Sequence, residues 1–298
     1  LATLAAVLLL TIVVWPRLWS DPIGGLAGAI FDNTSRSDEG FYLGMHYDTR
    51  FPWHYLPVWM VLTVPLACSA LFLSGLGFAA WELRRPKRFL FERPLLLVAL
   101  LWIGLPVLAK MLGRIGLFDE WRHLLFIYSA FLLIAVFGAK RLWETLGTWP
   151  RRIALALVAL NMAATLVWMV RWHPFEYLYF SVPSALVKGE MEMDYWGLSY
   201  VEGLRWIAAN DQSSRIPVYI RNDVGVGHIL MLPPADQARL YAVKSSAQAL
   251  YILDTLRWTH YEPSVPEDRL LHVVTADGLP VMWVYRGPFQ TDKLPDYK

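Results

Sequence analysis

Arg171-Trp172-His173-Pro174-Phe175-Glu176-Tyr177-Leu178-Tyr179-Phe180, followed by Met193-Asp194-Tyr195-Trp196-Gly197-Leu198-Ser199, divides the chain in two. Ahead of it lie long apolar runs, and behind it lies sequence of water-soluble character. The stretch itself mixes aromatic rings with two acids, a His and an Arg. That mixture suits a polar-headgroup boundary, where a ring keeps one end dry and one end wet. It reads either as a belt that only seats the last membrane helix, or as one that also packs a soluble domain over a site at the membrane surface.

Composition supports the division. Of 298 residues, 56% are hydrophobic, 15 are Trp and only 17% are charged, against roughly 25% charged in a soluble domain. This is an integral membrane protein with a soluble appendage. The net charge of +2 hides an asymmetry: residues 1–170 carry 15 Lys and Arg against 10 Asp and Glu, and residues 171–298 carry 12 against 15. The basic excess sits in short loops between apolar runs, so it argues orientation and not nucleic-acid binding. Cys68 is the lone cysteine, which excludes an internal disulfide and a cysteine metal site.

Five spans are expected in a polytopic α-helical membrane domain over residues 1–170: Leu1–Val14, Phe51–Trp81, Leu95–Leu112, His123–Ala139 and Ile153–Val170. The first is short for a span of about 20 residues and reads as a truncated helix of a longer protein. Residues 15–53 read as a polar loop. The turns 82–94 and 140–152 are rich in Arg and Lys, which makes their side cytoplasmic. The first loop, the loop 113–122 and the C-terminal part then face the opposite, extracytoplasmic water together.

Residues 171–298 are expected to form a small extracytoplasmic α/β domain. Tyr200–Asn210 has helical spacing, and Ile216–Arg221, Arg239–Val243, Ala249–Leu253, Leu270–Thr275 and Pro280–Tyr285 are short β-rich runs. Asp277-Gly278 is a hairpin signal between the last two. Gly225-Val226-Gly227 lacks the third glycine of a dinucleotide fingerprint and reads as a turn.

The most informative polar cluster is Lys110, Arg114, Asp119, Arg122 and His123. Lys110 and Arg114 share a face if the helix continues, and Asp119, Arg122 and His123 head the next span at i, i+3, i+4 spacing. Basic side chains at headgroup depth suit a phosphate, Arg by paired hydrogen bonds and Lys as a point charge. The plainer alternative is snorkelling side chains that anchor helix ends. Asp38-Glu39 resembles a catalytic acid pair, although a loop acid is usually just solvated. His46 and Asp48 are two apart and could ligate a metal, but two ligands are a weak signal; no cofactor is expected, and the sequence leaves a divalent metal open.

Taken in order, Trp15-Pro-Arg-Leu-Trp-Ser-Asp-Pro22, Phe51-Pro-Trp-His-Tyr-Leu-Pro-Val-Trp59, Asp119-Glu-Trp-Arg-His-Leu-Leu-Phe126, His173-Pro-Phe-Glu-Tyr-Leu-Tyr-Phe180 and Asp194-Tyr-Trp-Gly-Leu-Ser199 carry a resemblance. The chain resembles the C-terminal part of GT-C class membrane glycosyltransferases that use lipid-phosphate sugars, such as dolichyl-phosphate-mannose protein mannosyltransferases and bacterial aminoarabinose transferases. The resemblance covers Trp15 to Leu204 and, more loosely, extends to Tyr285.

The resemblance implies transfer of a sugar from a polyprenyl-phosphate donor to a lipid, glycan or protein acceptor, typically with inversion at the anomeric carbon. It implies an acidic base on an external loop upstream of Leu1, and it thereby moves Asp38 and Glu39 away from that role. Arg122 and His123 fall on the family's Arg-His and are expected to hold the donor phosphate. Lys110 and Arg114 join them by position alone. His54, Asp194, Tyr195 and Trp196 are expected at the acceptor-facing interface. The soluble domain either caps the site or grips the acceptor. Basic turns and a lone cysteine fit a bacterial plasma membrane, and an endoplasmic-reticulum membrane follows the same topology logic.

A non-catalytic, membrane-anchored binding module is the alternative function. A transporter fits less well, because the spans lack charge at mid-depth.

Overall fold

The computed structural model describes residues 2–35, 38–112, 116–117, 119–221, 223–257 and 267–288. The first helix, α1 (Ala2–Val14), has only 13 residues. Residues 15–53 are more ordered than a polar loop. Pro22 opens α2 (Pro22–Ser35), and Asp21 Oδ1 caps it by accepting from Gly24 N at 2.9 Å. A small antiparallel hairpin follows, β1 (Gly40–Tyr42) and β2 (Met45–Tyr47).

The expected second span is two helices, α3 (Tyr55–Thr63) and α4 (Leu66–Glu82). Pro65 is the cause. It lacks an N–H and drives the residue before it out of helical geometry, and Val64 is indeed extended. The break frees backbone groups inside an apolar environment, where each needs a partner. Asn161 Oδ1 accepts from Ala67 N at 3.0 Å. Ser181 donates from its N to Leu62 O at 2.6 Å and from its Oγ to Val61 O at 2.8 Å.

A short helix, α5 (Pro86–Glu92), leads into α6 (Pro94–Met111). Residues Arg122–Ile127 form a 3₁₀ turn that runs into α7 (Tyr128–Thr145), and α8 (Thr148–Arg171) is the last long helix. Among the described residues, three helices are long and apolar enough to cross a membrane: α6, the continuous Arg122–Thr145 rod and α8. They coincide with the third, fourth and fifth expected spans. The count of five is therefore corrected to three, because α1 is short and the second span is broken. No residue of α8 is buried by the rest of the chain.

Helices α4 and α7 pack through glycines. A Cβ on Gly75 would lie 2.1 Å from Ile134 O, and one on Gly138 would lie 2.2 Å from Leu71 O. Such close approach of backbones is the usual way helices associate where lipid supplies no hydrophobic drive. At the end of this pair, Glu82 holds Arg93 at 3.0 Å and Arg141 at 3.7 Å. Both basic turns thus meet at one end of the helices.

The C-terminal part follows the sequence pattern closely. Helix α9 (Ser199–Asn210) packs on a sheet of β3 (Ile216–Ile220), β4 (Leu240–Val243), β5 (Tyr251–Thr255), β6 (Leu270–Ala276) and β7 (Leu279–Arg286). The strand order is β4-β3-β5-β7-β6. β3 lies parallel to β4 and β5, and β7 lies antiparallel to β5 and β6. Asp277 and Gly278 both take positive φ, 50° and 74°, as a two-residue hairpin turn demands. The Gly225 segment is short helix and not a plain turn. A Cβ on Gly225 would lie 2.7 Å from the Tyr200 ring, so glycine is needed for close packing on α9.

One core runs from the helices through the belt into the sheet. Trp59 and Ile127 belong to it, with Phe175, Leu178 and Met193 of the belt and Leu204, Val218 and Met282 beyond. The belt therefore packs the α/β part against the helices as well as seating α8.

Candidate functional site

Four segments converge beside the helix break. They are the turn at Asp119–Trp121, the belt segment 190–199, Arg257 just past β5, and the end of α3 at Thr63 and Val64. The β1–β2 hairpin steadies the belt segment, since Tyr42 bridges to Met191 and Gly44 N donates to Glu190 O at 3.1 Å.

Asp119 and Glu120 both adopt left-handed backbone, with φ of 52° and 65°. For non-glycine residues this costs on the order of 1–3 kcal/mol each and persists only where surrounding contacts hold it. Those contacts are ionic. Asp119 accepts from Arg122 through one oxygen and from Arg257 through the other. Arg257 Nε also donates to Glu192 Oε1 at 3.0 Å. The Arg257 guanidinium is held above its already high range by Glu192 and Asp119, against the effect of its burial.

Glu120 stands differently. It is 7% exposed, and its Oε1 has no hydrogen-bond partner among the described residues. Burial pushes its carboxyl well above the ordinary carboxylate range; Glu192 and Asp119 add to the push, and Arg122 opposes it. Glu120 lines a cleft of about 240 Å³ together with Thr63, Val64, Trp121, Tyr177 and Tyr195. The helix break therefore forms one wall of the cleft, and the belt forms the other.

Arg122 lies beside this cleft. Its guanidinium sits 4.9 Å from the Trp196 ring and 5.4 Å from the Tyr195 ring, within cation–π range of both. Held by Asp119, it places a positive charge next to aromatic faces and beside the buried Glu120 carboxyl. Such a site can accommodate an anionic group joined to a polyhydroxylated ring.

Asp194 is the knot behind the cleft. Its carboxylate accepts from Tyr177 Oη and Ser199 Oγ, from Ser199 N at 3.3 Å and from Thr255 Oγ1 at 3.4 Å. It thereby ties the belt to the start of α9 and the end of β5. Burial raises its carboxyl to about 6, although bonds from Ser199 and Tyr177 pull it down.

The remaining expected residues scatter. Lys110 does not reach the surface as a phosphate ligand: it is 4% exposed and ion-paired with Asp38. Asp38 also accepts from Phe51 N and, at 2.8 Å, from Leu117 N. This pair pins the first loop onto the end of α6, and Asp38 has no role at the cleft. Glu39 and His123 are exposed. His54 Nδ1 meets Tyr42 Oη at 2.7 Å at the head of α3. Arg114 lies outside the described residues. Among the described residues, no group of three or more His, Cys, Asp or Glu is placed to hold a metal ion.

Three contributors were not legible as site residues. Glu120 was read only as part of a motif. Glu192 offered a faint signal, a charge flanked by Met191 and Met193. Arg257 offered none, because a lone Arg after a strand reads as a solvated end. Comparison with known family models, curated proteins and solved structures finds no match to this chain.

Proposed function

We propose that the protein is an integral membrane glycosyltransferase that moves a sugar from a polyprenyl-phosphate donor to a lipid, glycan or protein acceptor on the extracytoplasmic side. The observation that carries this reading is the stacked Arg122 beside the cleft that Glu120, Tyr177 and Tyr195 line. Aromatic faces accept the apolar face of a sugar, and the Glu120 carboxyl hydrogen-bonds a ring hydroxyl. In transfer, the acceptor oxygen bonds to the anomeric carbon as the bond from that carbon to the phosphate oxygen breaks. The acceptor proton passes to a carboxylate base. Arg122 stabilises the charge that grows on the departing phosphate, and the apolar helices α6–α8 offer the prenyl chain a lipid-level path.

The test is sugar transfer by full-length protein in detergent, from a labelled polyprenyl-phosphate hexose or pentose to a membrane extract. Arg122→Ala is expected to lower transfer roughly 10²–10³-fold, the effect of removing one transition-state donor. Near-wild-type transfer by a folded variant removes Arg122 from the mechanism.

A second reading, a membrane-anchored recognition module, draws on one observation. Asp119 takes both Arg122 and Arg257, so much of the local charge is already internally matched. Absence of turnover with any donor, in protein shown to be folded, favours it.

A further inference from the structure

The opposite end of the helices carries a second, unrelated cleft of about 380 Å³. Arg84, Arg85, Arg93 and Arg141 line it, against Glu82 and Glu92, and Trp81 stands at its edge. Glu82 fixes on its wall Arg93, between α5 and α6, and Arg141, within α7. Arg84 stacks 4.1 Å from the Trp81 ring. No acid among the described residues pairs with Arg84 or Arg85, so the cleft keeps a positive excess.

Its depth in the membrane follows from its neighbours. Trp81, Trp143 and Trp149 are exposed at the ends of α4, α7 and α8, and Phe91 on the intervening α5 is 86% exposed. Exposed aromatic rings at helix ends mark the headgroup layer. Left in water, they would form an apolar patch beside a charged cleft; in a bilayer, acyl chains cover the rings and the arginines face phosphates.

We propose that this cleft is a binding site for the headgroup of an anionic glycerophospholipid. Arg84 and Arg85 meet the phosphate, and Arg93 and Arg141, braced by Glu82, form the back wall. The positive-inside rule assigns this end to the cytoplasmic leaflet, and basic clefts between helices on that side suit anionic lipid. The site is independent of the transfer reading, since its ligand is bilayer lipid and its residues lie at the far end from Arg122.

The experiment is native mass spectrometry of the full-length protein in detergent with phosphatidylglycerol or phosphatidylcholine. Wild type is expected to retain phosphatidylglycerol in preference to phosphatidylcholine. Arg84→Gln/Arg85→Gln should lose roughly ten-fold or more in that retention, with its lipid-free thermal midpoint unchanged. Arg84→Lys/Arg85→Lys should keep most of it, because the charge remains. Equal retention of the two lipids, or full retention by the Gln variant, overturns the proposal. So does complete displacement by excess inorganic phosphate, which would make the site one for a free anion. A photoactivatable phosphatidylglycerol supplies a check on wild type alone: labelling within residues 81–93 or 140–152 supports the site, and labelling confined elsewhere overturns it.

Discussion

Arg257, just past a strand in the C-terminal sheet, donates to Asp119 at the head of a membrane helix, across 138 positions of sequence. The two residues lock the α/β part onto the helices at the mouth of the cleft. Arg257→Ala leaves Asp119 with Arg122 alone and leaves Glu192 and Glu120 beside it with less positive charge. Removing one partner of a buried pair costs about 3–5 kcal/mol. The expected result is a lower thermal midpoint in detergent and faster proteolysis of residues 200–288. Asp119→Asn in the same background should recover part of the loss.

Lys110 and Asp38 predict a different phenotype from Arg122. Their side chains are each 3% exposed, so Lys110→Met or Asp38→Asn is expected to cost a similar ~3–5 kcal/mol. Transfer per folded molecule should stay near wild type. A variant of Lys110 that folds normally but cannot use the donor would return Lys110 to the phosphate site.

Asp194 gives a pH signature. Its carboxyl titrates near 3.8 in an unfolded chain and is raised to about 6 by burial in the fold, so the folded state holds the proton more tightly. The stabilisation it contributes is fully present below pH 4 and is lost as pH rises through 6, on the order of 3 kcal/mol. Asp194→Asn should flatten that slope between pH 4 and 6 in urea or thermal unfolding followed by tryptophan fluorescence.

The α4–α7 contact predicts a steric phenotype. Gly75→Val or Gly138→Val puts carbon within about 2.2 Å of facing backbone oxygen, and backbone of a packed helix cannot swing aside as a side chain can. Helix separation and a loss of at least the 1–3 kcal/mol typical of overpacking are expected. Gly77→Ala, with open space around it, is the control and should be neutral in a thermal-stability assay.

The sequence by itself determined the elements whose pattern is local. Long apolar runs give α6, α7 and α8, because about 20 apolar residues bury their own backbone polar groups only as helix. Alternating β-branched runs and the Asp277-Gly278 turn give the sheet. Pro65 lay in plain view, but a proline inside an apolar run permits either a kink or a break. Asn161 and Ser181, distant in sequence, satisfy the freed groups and permit the break. Of the candidate site, Asp119, Arg122 and the belt residues Asp194, Tyr195 and Trp196 were legible. Lys110 and Arg122 look alike as basic residues at helix ends. Tertiary structure separates them by delivering Asp38 to the first and a pair of aromatic rings to the second. Glu120, Glu192 and Arg257 enter for the same reason: the charge state and partners of a buried group are set by what folding brings within a few ångströms, and no local spacing records that.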